Sequence, residues 1–305
     1  MNAGRGAMHI NSTEIVDTFA EAFAMRAARV IITADTDHWV TTAAQSMTGF
    51  ATSVIGCKCE AAIERRIPPA DTPDGRPGAS VLLFAFDADG VGKRLVERIG
   101  QCVMTCPTTA CFNGLAAQET VVVGGKLRFF GDGHQIAKRL AGRRFWRVPV
   151  MDGEFLVEDR FGVQPAVGGG NILILGDTVE TALEAATAAV AAMREVPDVI
   201  LPFPDGVVRS GSKVGSRYKA LAASTNEAYC PTLSGAVPST VLPAGVGCVL
   251  EIVIDGLDLN AVEEATRCGI RAAARNGILQ ITAGNYGGKL GQYQIHLHRA
   301  LKDRP

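Results

Sequence analysis

The sequence is poor in charge and in aromatic rings: of 305 residues only 20% are Asp, Glu, Lys or Arg, and 6% are Phe, Trp or Tyr. Neither sign of charge dominates, with 30 Lys and Arg against 31 Asp and Glu. That balance excludes a basic nucleic-acid binder, a polybasic membrane-surface protein and an acidic disordered chain as descriptions of the whole. Long hydrophobic runs are lacking too. The most apolar stretches, Ala185 to Met193 and Val246 to Ile254, fall far short of the ~20 residues a spanning helix needs. Met1 to Glu14 holds no apolar core of the ~7–15 residues typical of a signal peptide. The eight cysteines sit mostly inside apolar segments, a pattern expected of reduced, buried thiols in a cytosolic protein. Mean hydropathy is nevertheless +0.17. With no membrane span to account for it, burial between subunits of an oligomer is the expected explanation.

What the sequence does contain is a repeated grammar of strand, helix and strand. Ile172 to Leu175 reads as a buried strand, Asp177 with Glu180 as a capping box, and Val179, Leu183, Ala186, Val190 and Met193 as one apolar helix stripe. Val199 to Phe203 is the return strand. Val249 to Ile254, a helix capped by Asp258 and ended by Asn276-Gly277, and Ile278 to Thr282 repeat the unit. Weaker copies lie upstream. Val30 to Thr33, a helix from about His38 to Met47 and a strand at Thr52 to Cys57 form one. Val81 to Phe86 and a helix from about Gly92 to Met104 form the other. Further strands are expected at Leu127 to Phe130, Val207 to Ser210 and Tyr293 to Leu297, with a hairpin turn at Asp152-Gly153. Four such units in two pairs predict an α+β protein of two ferredoxin-like (βαββαβ) lobes, a fused duplication, divided into residues 1–165 and 166–305. The rival architecture is a single doubly wound sheet.

Glu251 is the only charge in the strand Val249 to Ile254, and its same-face neighbours are Val249 and Val253. A carboxyl desolvated in this way could keep a proton near neutrality and act as general acid or proton shuttle. An edge-strand glutamate turned to water, or one paired with arginine, is the plainer alternative. His296 and His298, two apart on a predicted strand, could share a zinc ion, but no Cys-x-x-Cys or His-Glu-x-x-His supplies further ligands. Gly168 to Asn171 precedes a strand, whereas a dinucleotide fingerprint follows one. Ser212 to Ser216 is not a P-loop, yet it offers hydroxyls, amides and an ammonium to an anion. The loop Thr282 to Gln292 (TAGNYGGKLGQ) is glycine-rich and carries Asn285, Tyr286 and Lys289, which suits close approach of backbone to a ligand.

These residues also carry a resemblance. Gly100–Thr105 (GQCVMT), Thr72–Gly78, Phe129–Gly133, Ser212–Ser216, Ala223–Thr232 (ASTNEAYCPT) and Ala283–His298 (AGNYGGKLGQYQIHLH) resemble the formylmethanofuran–tetrahydromethanopterin formyltransferase family. The resemblance runs from about Ile10 to His298. It implies two ferredoxin-like lobes, association as homo-oligomers (dimer or tetramer), and no metal or prosthetic group. It implies transfer of a formyl group between N5 of a tetrahydromethanopterin-type pterin and the amine of a methanofuran-type carrier, both co-substrates, through a ternary complex. The family's catalytic glutamate falls at Glu251. The loops that carry the motifs put Lys213, Ser224, Asn226, Tyr229, Asn285, Lys289 and Gln292 in or near the substrate cleft.

The sequence departs from the family pattern at Met1–Met8, an extension, at Ser234–Gly245, a longer loop, and at Gln294 and His134. Its 22 Arg against 8 Lys and its near-neutral charge fit a bacterial methylotroph better than a salt-loving archaeon. There the reaction would run oxidatively, and the chain would be one subunit of a formyltransferase/hydrolase complex. Two other functions compete: a metal-dependent amide hydrolase built on His296 and His298, and a non-catalytic scaffold subunit. The hydropathy itself generates a test. In dilute sedimentation the protein should run as a dimer or tetramer, and a stable, active monomer would leave the excess of apolar residues unexplained.

Overall fold

The computed structural model describes residues 8–211 and 213–302; Ser212 of the Ser212–Ser216 motif, and all of the amino-terminal extension except Met8, lie outside them. Contacts divide the chain into two compact units, Met25–Ala166 and a second made of residues up to Ala24 together with those from Val167 onward.

In the unit 25–166, strand β1 (Phe19–Thr33) enters from the other unit. Helix α1 (Asp37–Thr48), β2 (Glu60–Ile67), β3 (Gly78–Ala85), α2 (Ala88–Arg98) and β4 (Ala110–Asn113) follow. β1 pairs antiparallel with both β3 and β4, and β2 with β3, so the strand order is β4-β1-β3-β2. Thr36 and Asp87 cap the two helices through their side chains. Val40, Met47, Val91 and Leu95 of the helices bury against Val30, Ile32, Val81 and Leu83 of one sheet face. A hairpin, β5 (Arg143–Val150) and β6 (Gly153–Glu158), turns at the expected place and adds β6 parallel to β4.

The second unit repeats the order. It is built from β7 (Arg160–Gly176), α3 (Val179–Arg194), β8 (Val199–Ile200), β9 (Cys248–Gly256), α4 (Leu259–Ala273) and β10 (Ile278–Thr282). β7 pairs antiparallel with β9 and β10, and β8 with β9, giving β10-β7-β9-β8. Ile172, Ile174, Leu250, Ile252 and Ile254 meet the helices on one face. The helices can approach closely because position 269 is glycine: a Cβ there would fall 1.9 Å from Met193 Cε. Residues up to Ala24 belong here because Thr13–Ile15 pairs parallel with β10, and β11 (Tyr293–His296) pairs antiparallel with Phe19–Ala22. Cutting the sequence once, at 165/166, does not register these returning strands.

Several local expectations change. Thr52 to Cys57 is not a strand; Val54–Cys57 is a helical turn whose Val54 N–H donates to Glu60 Oε1 at 2.9 Å. Leu127 to Phe130 is helical as well, within Gly124–Leu127 and Arg128–Gly131; the turn opens at Gly124, where a Cβ would meet Glu158 O at 2.4 Å. Val207 to Ser210 contributes only one bridge, Val208 to Glu251. Helix α3 begins one residue later than expected, with Thr178 and Thr181 forming the capping box. No helix among the described residues is long and apolar enough to cross a membrane.

A buried ion pair on the helix-free face of the first sheet gives a measurable consequence. A β-bulge between Ile63 and Arg65 frees Glu64 from the ladder. Its carboxylate takes Arg29 Nε at 2.8 Å, Arg29 Nη2 at 2.7 Å and Ser80 Oγ at 2.5 Å. Burial pushes its pKa up, but the Arg29 and Ser80 hydrogen bonds and the charges of Arg29 and Arg65 outweigh that and hold it low. Glu64→Gln should therefore cost about 3 kcal/mol at neutral pH, since it takes a charged hydrogen-bond partner away from the largely buried Arg29. A depressed folded-state pKa contributes stability above the ordinary carboxylate range and loses it as pH falls through the folded value. The gap between wild type and Glu64→Gln in urea unfolding should thus shrink in acid.

Candidate active site

Alternation along β9 sends Leu250, Ile252 and Ile254 to the helices and Val249, Glu251 and Val253 to the opposite face. Glu251 is not on an edge. β7 pairs with β9 on one side, and on the other Val208 N donates to Glu251 O at 2.7 Å while Glu251 N donates to Val208 O at 2.9 Å. Its side chain is 3% exposed.

The register explains how this carboxyl is held. Leu173 of β7 lies opposite Glu251, so Asn171, two residues earlier on the same face, sits diagonally across from it. Gly284 N donates to Asn171 Oδ1 at 2.8 Å. That bond fixes the amide's orientation, so Nδ2 must face Glu251, and it donates to Oε1 at 2.9 Å. On the other neighbour of β7, Thr282 of β10 also pairs with Leu173, and the Tyr229 hydroxyl hydrogen-bonds Thr282. A cavity of about 30 Å³, lined by Glu251, Leu173, Arg209, Asn226, Tyr229 and Cys230, leaves room for a water molecule.

Two tyrosines feel the Glu251 charge. Burial raises the Tyr229 pKa, and Glu251 adds to that against the Thr282 hydrogen bond. Burial likewise raises Tyr286 against the opposing hydrogen bond to the Val214 backbone, with smaller additions from Glu251 and Glu21. Both phenols stay neutral in the physiological range and remain hydrogen-bond donors.

The residues nominated from sequence separate into groups. Glu251, Asn226 and Tyr229 share the cavity. Lys213 and Ser224 face each other on a two-stranded ladder. There the Lys213 ammonium donates to both Glu227 oxygens at 2.6 Å, and Ser224 Oγ donates to Gly215 O at 2.6 Å. Asn285 is exposed, but its Nδ2 is tied to the chain, donating to Thr18 Oγ1 at 3.2 Å and Phe19 O at 3.1 Å. Gln292 accepts Ala24 N at 2.8 Å. Lys289 is exposed. The two histidines do not share a strand face. His296 ends β11 and His298 lies in the helix Leu297–Leu301, its Nε2 2.7 Å from Ile15 O. Among the described residues no cluster of three or more His, Cys, Asp or Glu is placed to hold a metal ion.

Asn171 and Tyr286 were not nominated. The signal for Asn171 was present: it is the one polar residue opening the apolar run Asn171–Leu175, the same kind of evidence that selects Glu251. Tyr286 carried only the general signal of a polar residue in a glycine-rich loop, because its place depends on how that loop folds.

A family model described as formylmethanofuran-tetrahydromethanopterin formyltransferase matches residues 8–150, and one described as FTR, proximal lobe, matches 153–300. The formylmethanofuran–tetrahydromethanopterin formyltransferase of Methylococcus capsulatus is 57% identical over 96% of this chain and 100% of its own. A component of the formyltransferase/hydrolase complex of Methylorubrum extorquens is 51% identical, with 97% and 98% covered. Among solved structures, the crystal structure of that organism's complex with methylofuran matches with TM-score 0.94 at 50% identity, covering 98% of this chain and 100% of the matched one. The formyltransferase of Methanosarcina barkeri matches with TM-score 0.91 at 50% identity, with 96% and 100% covered.

Asn171 joins strand β7, Glu251 and the loop after β10, so its removal should be felt even without substrate. Asn171→Leu keeps the volume but leaves the Gly284 amide and the Glu251 carboxyl each short of a partner. The expected loss is about 1–3 kcal/mol, measured by urea unfolding.

Proposed function

Because the chain belongs to the formylmethanofuran–tetrahydromethanopterin formyltransferase family and is a formyltransferase acting between those two carriers, we propose that Glu251 carries the proton that must pass between the two nitrogens. The donor is an amide, and the acceptor is an amine. When the acceptor nitrogen attacks, a C–N bond forms and the carbonyl oxygen takes the electron pair. The attacking nitrogen must then lose a proton, and the leaving nitrogen must gain one before its own C–N bond breaks. One buried carboxyl beside the formyl carbon serves both transfers. The observation that carries this reading is the Asn171–Glu251 hydrogen bond. With Oε1 taken as acceptor, a proton on the carboxyl belongs on Oε2.

The neutral phenols of Tyr229 and Tyr286 are suited to donate to the developing oxyanion. Among the other nominated residues, Asn226 and Lys289 are assigned to carrier contact. Lys213, Ser224, Asn285 and Gln292 are assigned to holding the surrounding loops in the conformation that the carriers meet. No covalent enzyme intermediate is needed, so positioning in a ternary complex supplies much of the acceleration.

The same proposal extends to the setting. The order β4-β1-β3-β2, matched by β10-β7-β9-β8, supports two ferredoxin-like lobes from a fused duplication, 1–165 and 166–305, with the amino-terminal strands lent to the second. We assign the protein to the cytoplasm, where its eight free thiols remain reduced. By analogy with the Methylorubrum extorquens relative, a subunit of a formyltransferase/hydrolase complex, we assign it to work with hydrolase subunits. The sequence resemblance is the ground for assigning it further to a homo-oligomer that runs oxidatively from formyl-pterin to formylated furan carrier, with no metal or prosthetic group.

Glu251→Gln preserves shape and one acceptor oxygen but cannot shuttle a proton. In a transfer assay with both carriers, kcat should fall roughly 10²- to 10⁴-fold while KM changes little. A fully active Gln variant would sink the role assigned to Glu251.

A further inference from the structure

We propose that Glu21 is a positioning residue for formyl transfer, holding the loop 284–292 in place through backbone hydrogen bonds and so fixing Tyr286 and Lys289 beside the site. The proposal rests on the functional reading above only in taking this loop to serve catalysis.

Glu21 lies on β1 opposite Gln294 of β11 and is 2% exposed. Its carboxylate accepts four peptide N–H groups. Tyr286 and Gly288 donate to Oε2, the latter at 3.1 Å; Leu290 and Gly291 donate to Oε1, each at 2.9 Å. Glu21 N donates in turn to Gly284 O at 3.4 Å. Converging peptide N–H groups of this kind make a concave anion site, a nest. Here the nest is filled from within the chain, so these amides serve the loop's shape and are not free to cradle a ligand.

The loop's glycines make the fit possible. Gly288 has φ +72°, and a Cβ at Gly291 would stand 2.7 Å from Ala22 O. Burial acts to raise the Glu21 pKa, but the N–H groups of Gly291, Leu290, Tyr286 and Gly288 together outweigh it and hold the carboxyl below its usual range. The acceptor is therefore a carboxylate at neutral pH.

The geometry ties Glu21 to the site rather than to general stability. Gly284 donates to Asn171, which donates to Glu251, and two residues later the Tyr286 amide donates to Glu21. Tyr286 is thus held at its own backbone by Glu21 and one short step away by the residue that orients Glu251. A one-oxygen amide in place of Glu21 would turn its NH₂ toward two of the four donors.

The test compares Glu21→Gln with Glu251→Gln in the full-length protein. Amide hydrogen exchange of 284–292 should accelerate at least about tenfold in Glu21→Gln, as expected for two hydrogen bonds lost, with β10 unchanged. KM for one of the carriers should rise by a similar factor with a smaller fall in kcat, the reverse of the pattern expected for Glu251→Gln. Unchanged exchange and KM would overturn the proposal, and so would faster exchange spread evenly over the whole unit, which marks a general structural role. If Glu251→Gln were fully active, the exchange result for Glu21 would still stand, so the two failures are distinguishable. Should Glu21→Gln not fold, Glu21→Asp carries the same test, since it keeps the charge and loses the reach.

Discussion

A carboxylate taken out of water must be given donors, and that requirement organises the unit that carries the candidate site. Burying an unpartnered charge is so costly that a group either neutralises or the fold supplies partners. The partners come from fixed positions: a diagonal residue on the neighbouring strand for Glu251, and four amides of one loop for Glu21. Asp255, on the same strand as Glu251, is met by the N–H of Gly169, at a bulge in β7. In the other unit Glu64 uses a bulge as well, turning toward Arg29. Each solution uses the sheet register or a glycine-rich turn rather than a flexible surface side chain. These carboxylates are consequently the points at which strand pairing, loop shape and side-chain chemistry become one constraint.

The chemistry of the site follows from which groups are neutral and which are charged. Tyr229 and Tyr286 are pushed toward the neutral phenol by burial and by Glu251. The cysteine thiols that shift move the same way: burial raises Cys59, Cys106, Cys111, Cys248 and Cys268. A thiol with a raised pKa is a poor nucleophile at neutral pH. Neutral phenols beside one carboxyl, without an activated thiol among the shifted cysteines, suit direct attack of a bound amine on a bound formyl amide, in which the enzyme moves protons and holds the partners, better than they suit an acyl-enzyme route.

Much of this was legible in the sequence, and the rest was hidden for definable reasons. Glu251 stood out because a lone charge in an apolar strand is visible to alternation alone. The four main strands that flank the long helices, and the cap at Asp258, follow local rules and were recoverable as elements. Segments such as Thr52–Cys57 and Leu127–Phe130 misled because their apolar, β-branched or aromatic composition favours a strand, whereas groups outside the segment bear on the outcome: the Glu60 carboxylate caps the first, and the second continues a helical turn that opens at Gly124. Glu21 was invisible. It is a single acid in an alanine-rich strand, and its partners lie more than 260 positions away, at Tyr286 to Gly291. Asn285 and Gln292 read as ligand-facing because they sit in a loop, yet both are tied to neighbouring backbone.

The two units share a strand order but differ in one connection, and the difference explains how Glu251 comes to be enclosed. Between their second and third strands the first unit has only residues 68–77, while the second has 201–247. β8 pairs with β9 only at Gly256 and Asp255, so the rest of β9, including Glu251, would otherwise present an open edge. The long connection closes it: Val208 takes both backbone groups of Glu251, and Asn226 and Tyr229 roof the side chain. An edge glutamate in water would be an ordinary carboxylate. The same residue, closed in by this connection and oriented by Asn171, is a desolvated carboxyl beside Asn226 and Tyr229. Long irregular connections in compact units are most often kept for function, and here the physical reason is specific: the extra chain converts an edge position into an interior one without covering it with an apolar helix.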